Sequence, residues 1–197
     1  MARATGTKRA ILDATLELAA TKGISGTTMD EVAERAGVAK GSLYYNFSSK
    51  DRLFEELLLE GVGALAEILR AARGDLRGRA AIEALVGALL DRIASNPALA
   101  KLMASEIFRT DRTWQKSLFA LRHEALTVFV EAIAEAKPES RDHGTCGLMA
   151  SSVFGAVLMA GLEWLVFEPE RPRDEVAAAI LDSLSGGLLG GDRPAPR

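Results

Sequence analysis

Apolar residues recur at intervals of three and four along nearly the whole chain, the period of α-helices that bury one side. Ile11, Leu12, Thr15, Leu18 and Ala19 predict a first helix over 7–22. Gly23 ends it, and Ile24 can pack back against it. Val32, Ala33 and Ala36 predict a short second helix, and Leu43 with Phe47 places one face of a third in the core. Thr28 is placed to N-cap the second helix, with Glu31 three residues later completing a capping box. Gly37 can end that helix in the left-handed region, where a glycine has no Cβ to clash. Ser48 or Ser49 caps a fourth helix and Asp51 faces its positive end. This helix, about 49–73, carries Leu53, Phe54, Leu57, Leu58, Leu65, Ile68 and Leu69, and Gly61 and Gly63 predict a bend or hinge in it. Four further apolar patterns predict helices over 79–94, from Pro97 to about Phe108, over 114–137 and over 174–189, with mobile ends at 1–6 and 190–197.

The third helix is unusual on its outer side. Lys40, Gly41, Ser42, Tyr44, Tyr45 and Asn46 are left to water, and adjacent tyrosines cannot both face one core. Two short helices joined by a glycine turn, the second polar and aromatic outside, have the geometry of a helix-turn-helix that enters a DNA major groove. The run Gly-Val-Ala-Lys-Gly-Ser-Leu-Tyr-Tyr-Asn-Phe-Ser-Ser-Lys, 37–50, resembles the recognition segment of the TetR family of bacterial transcriptional regulators, and the likeness covers about 7–57. Two departures stand out. Ala39 stands where members of the family often have serine, so an N-cap is missing, and Asn46 replaces a histidine.

Direct base reading falls to Lys40, Ser42 and Tyr44, with Gly41 permitting close backbone approach, while Thr28, Tyr45, Asn46 and Lys50 hold phosphates. Arg3, Lys8 and Arg9 can follow a groove as a flexible arm, against the plainer reading of a solvated tail. A net charge of −3 argues against nucleic acid until it is divided. Residues 1–50 hold seven Lys/Arg and five acids, a net of +2, which leaves −5 on the remainder. The excess of positive charge therefore sits on the end that would meet phosphate.

Nearly half of the residues are hydrophobic, β-branched runs are scarce and only six prolines interrupt, so an all-α fold is expected. The resemblance implies an N-terminal three-helix helix-turn-helix domain, 1–50, and a larger helical ligand-binding and dimerisation domain, 51–197, with about nine helices altogether. Residues 144–162 carry no charge, long enough for a membrane span, but Glu163 follows at once and the segment is rich in Gly, Ala and Ser. Gly147, Ser151 and Gly155 recur every fourth residue, a stripe that admits close backbone approach in a dimer, though also in membrane dimers. A buried dimerisation helix is the preferred reading. Leu158 and Leu162 extend this face, and Val176, Ile180 and Leu184 supply the second interface helix, which the resemblance makes half of a four-helix bundle.

Beyond residue 78, large side chains are available to line an effector cavity: Met103, Glu106, Phe108, Trp114, Phe119, His123, Met159, Glu163, Trp164 and Phe167. Each alone is better explained as ordinary core or surface. His143 and Cys146 supply at most two of the four ligands a metal usually needs, so no metal or other cofactor is expected. Neither a phosphate-cradling glycine loop nor a nucleophile elbow occurs, so the chain is not expected to be an enzyme. One cysteine and a first twenty residues without an apolar secretory stretch point to the cytoplasm. The expected protein is a homodimeric repressor, released from a near-palindromic operator by a small hydrophobic effector. The alternative is a DNA-tethered protein-interaction regulator without a small ligand.

Overall fold

The structure, a computed structural model, describes residues 2–106, 109, 114–136 and 143–185. Expectations for Phe108, Ile107 and Leu188 lie outside the described residues, as do the side chains of Arg3 and His143. Helices alone build the described part: α1 (Ala2–Gly26), α2 (Met29–Arg35), α3 (Lys40–Asn46), α4 (Lys50–Gly63), α5 (Leu65–Arg73), α6 (Gly78–Ser95), α7 (Pro97–Glu106), α8 (Gln115–Ala136), α9 (His143–Phe167) and α10 (Arg173–Leu184). The bend expected near Gly61 and Gly63 is the break at Ala64, which separates α4 from α5. At the N-terminus, within the stretch expected to be mobile, residues 2–6 are helical. Residues 2–6 continue α1, because the alanine-containing run has no proline and one glycine is too weak a breaker to stop it. Gly23, at φ 70° and ψ 168°, breaks the helix as expected, and one further turn follows.

The helices form two compact units. Unit 1 comprises 1–64 and 98–122, and unit 2 comprises 65–97 and 123–197. The core of unit 1 gathers Ile11 and Leu12 from α1, Val32 and Ala33 from α2, Leu43 from α3, Phe54 and Leu58 from α4, Leu102 from α7 and Trp114 just before α8. All are almost fully buried, and the Trp114 ring lies 6.4 Å from that of Phe54. In α4 the sequence spacing Leu53, Phe54, Leu57, Leu58 turns a continuous apolar stripe onto this core. Ser117 of α8 donates to Glu55 of α4 at 3.4 Å.

Unit 2 packs α6 against α5, α9 and α10. Leu85, Val86, Leu89 and Leu90 of α6 are buried, as are Val128, Phe129 and Ile133 of α8 and Ala150, Val153 and Val157 of α9. The Phe129 and Phe154 rings meet edge-on at 6.2 Å, a favourable aromatic arrangement. At Gly161 of α9, a Cβ would lie 3.2 Å from Ile93, so glycine permits the close crossing with α6. Arg173 reaches Asp91 with two nitrogens at 2.8 and 2.9 Å, fastening α10 to α6.

Candidate nucleic-acid interface

Local chemistry sets the frame of α2 and α3. The Glu31 amide donates to the Thr28 hydroxyl at 3.2 Å while the Thr28 amide donates to the Glu31 carboxylate at 3.0 Å, completing the capping box. Lys22 also donates to Glu31, at 2.5 Å. These bonds, that from Lys22 first, lower the Glu31 pKa to about 2. Gly37 adopts φ 65° in the turn, which lets α3 begin three residues later. Ala39 occupies the N-cap of α3 and offers no side-chain bond, as its methyl group dictates.

One side of α3 is anchored and the other is open. Leu43 is fully buried and Phe47, just after the helix, is 2% exposed, whereas Tyr44 is 50% and Tyr45 90% exposed. Lys40, Gly41 and Ser42 are exposed as well, and Asn46 is half-buried. A seven-residue helix that holds its apolar pair inward and two phenols outward presents a stiff, hydrogen-bonding edge. Such an edge suits the donors and acceptors of base and phosphate groups.

Several of the expected contact residues already have partners. Lys40 donates to Asp30 of α2 at 2.7 Å, and this bond raises the lysine pKa. Lys50 donates to the Ser25 carbonyl at 3.1 Å, tying the start of α4 to the end of α1. Asn46 donates one amide hydrogen to the Ser42 carbonyl at 2.8 Å, and its second hydrogen remains for another acceptor. The proposed arm is engaged too. Lys8 pairs with Glu56, 6.0 Å above the Phe47 ring, and Arg9 pairs with Asp13 and Glu60. Sequence reasoning missed Asp30 and Ser25. An acid in the first turn of α2 was visible, but its reach to Lys40 depends on how α2 and α3 cross.

The effector candidates divide between the units. In unit 1, Trp114 and Glu106 are buried, Met103 packs on the core and Phe119 is exposed; the Glu106 carboxylate lies 3.9 Å from Arg109. In unit 2, His123, Met159, Glu163 and Phe167 are exposed. Trp164 donates to the Arg171 carbonyl at 2.9 Å. Glu163 and Trp164 border a hollow of about 310 Å³ between α9 and α10, which also touches two dimer candidates, Val176 and Ile180. Those two are buried within the chain, while Leu184 is 38% exposed and Leu158 and Leu162 are half-buried. Ser151 is half-buried, and a Cβ at Gly147 or Gly155 would meet nothing within 4 Å. Among the described residues, no three His, Cys, Asp or Glu side chains gather for a metal ion.

Residues 11–57 match the family model of bacterial regulatory proteins of the tetR family, which takes in α2, α3 and most of α1 and α4. These residues carry the DNA-binding region of the TetR family of regulators. Among curated relatives, the transcriptional regulator RutR of Escherichia coli (strain K12) is 33% identical over 51% of this chain and 47% of its own length. The transcriptional repressor KstR2 of Rhodococcus jostii (strain RHA1) is 36% identical over 48% of each. The chain thus spans about half the length of the curated relatives it matches, or less. A solved Clostridium perfringens protein, described as a fatty acid metabolism regulator, is 27% identical with a TM-score of 0.78, over 91% of this chain and 98% of that one.

Proposed function

We propose that this regulator acts in the cytoplasm as a homodimeric repressor that grips a near-palindromic operator through α2 and α3 and leaves it when a small hydrophobic effector binds. The sidedness of α3 carries the reading: Leu43 and Phe47 lock the helix while Tyr44 and Tyr45 stand in water. Lys40, Ser42 and Tyr44 read bases, with Gly41 letting the backbone come close, and Thr28, Tyr45, Asn46 and Lys50 hold phosphates. Residues 1–50 make the DNA contacts and 51–197 regulate and dimerise. Two recognition helices about 34 Å apart fit successive turns of one duplex.

Support for the dimer comes from α9. Its span 144–167 is long and apolar enough to cross a membrane, yet only 28% of its most apolar window is buried within one chain. Leu148 is 73% exposed, and the open edges at Gly147 and Gly155 admit another backbone. A second copy covers this face in our reading, with Gly147, Ser151, Gly155, Leu158 and Leu162 on α9 and Leu184 on α10, while Val176 and Ile180, already buried within the chain, back the interface from inside. The description of the Clostridium perfringens neighbour favours an effector with an apolar body. To release DNA, the effector must bind better to the arrangement whose recognition helices are wrongly spaced.

Selection of bound genomic fragments, followed by band shifts on the best fragment, tests this. We expect one retarded species with a near-palindromic core, weakened by Tyr44→Ala. Binding of Tyr44→Ala and Lys50→Ala as tight as that of the parent would falsify the site.

A further inference from the structure

We propose that Gln115 and Arg122, on one face of α8, bind the two ends of an elongated small molecule, a neutral amide at Gln115 and a carboxylate at Arg122. The proposal rests on the effector-responsive reading and adds the chemistry of the effector's ends. Gln115 opens α8 and is 7% exposed, yet among the described residues neither its Oε1 nor its Nε2 has a hydrogen-bond partner. Buried polar groups in folded proteins are nearly always paired, because a desolvated donor or acceptor without a partner destabilises the fold. A short apolar side chain would fill the position at lower cost. Gln115 therefore has the mark of a group kept for something outside the chain.

A second observation extends the site. Arg122 follows two helical turns later, hence on the same face and about 10 Å along the axis. Its Nε is also buried without an acceptor among the described residues. Leu118, between the two, is 2% exposed, so the face reads polar, apolar, polar.

The two groups ask for different chemistry. A carboxamide both donates and accepts, so its complement must do the same. An amide qualifies. A carboxylate only accepts hydrogen bonds and would set its charge against Oε1. Arg122 only donates and keeps its charge, so a carboxylate is its strongest neutral-pH partner. An aliphatic linker of about 10 Å spans the two ends.

Thermal melting of the full chain with two matched probes tests the assignment. One is the half-amide of octanedioic acid, and the other is octanedioate, which differs only in carrying a second carboxylate. We expect the half-amide, at about a hundredfold its Kd, to raise Tm by about 5 °C, and octanedioate to raise it less. Gln115→Leu should melt above the parent without ligand, since it removes the unpaired amide, and should lose the half-amide response. Should Gln115→Leu fail to fold, Gln115→Met is read in the same way. The proposal is overturned if the half-amide leaves the parent unmoved or if octanedioate does as well. It is overturned equally if the substituted chain melts lower and still responds, since the amide would then be structural or hold only a buried water. Band shifts of the parent separate the two levels of inference. Lost DNA binding with an intact half-amide response removes the repressor reading alone, and the reverse result removes this one alone.

Discussion

Single residues decide how firmly α2 and α3 begin. Thr28 and Glu31 satisfy each other's backbone amides, so Thr28→Ala should cost about 1 kcal/mol in urea unfolding. The same pair gives a pH signature. The folded Glu31 pKa lies near 2, below its ordinary 4.5, so its contribution is present above about 4.5 and disappears as pH falls toward 2. Glu31→Gln should flatten the acid limb of the stability curve over that window, as pH-dependent urea melts would read. At α3 the missing cap works the other way: Ala39→Ser should add about 0.5–1 kcal/mol, again measurable in urea. These residues were legible because a cap acts within four positions of itself. Gln115 was not, since a polar residue opening a helix looks like an ordinary solvent-facing start until the fold buries it.

At the scale of the element, α3 shows what periodicity reveals and what it hides. Leu43 and Phe47 fixed its inner face by spacing alone, and the polar outer face followed by subtraction. The partners of that outer face did not follow. Lys40 meets Asp30 ten residues back, and Lys50 meets Ser25 twenty-five residues back, contacts that exist only once α1, α2 and α4 are assembled. In the proposed complex Lys40 must exchange or share its partner to reach a base edge, and Lys50 must do the same to touch phosphate. Exposed ion pairs contribute little to stability, so DNA can compete for Lys40. Lys50→Ala should weaken operator binding across sequences and lower the slope of log K against log salt by about 1, with helix content unchanged by circular dichroism. Gly61 and Gly63 pointed to a bend or hinge within the fourth predicted helix; the structure instead divides it into α4 and α5 at Ala64.

For the whole molecule, the division of charge and the apolar α9 face set the expected behaviour. If each half of a dimer makes about four phosphate contacts, log K should fall with log salt at a slope near −7. A much shallower slope in band-shift titrations would show that the internal pairs of Lys8, Arg9 and Lys40 persist on DNA. A charge placed in the proposed interface, Leu162→Arg, should leave each chain folded and convert the dimer to monomer in sedimentation. An unchanged sedimentation coefficient would move the interface elsewhere. The compact units also cut across the proposed division at residue 50. α4, α7 and the first turns of α8 belong with the N-terminal helices, which no composition shift announces.

The sequence by itself determined where helices form, what caps or breaks them and which side of each turns inward. Those choices depend on φ/ψ limits, local hydrogen bonds and a periodicity of 3.6 residues, all of short range. Only the tertiary structure decided that Lys8 finds Glu56, that Ser117 finds Glu55, and that Gln115 and Arg122 carry buried atoms without partners. Pairings across 48 or 62 residues depend on which helices cross and at what height. A one-dimensional pattern of apolar positions carries no such term.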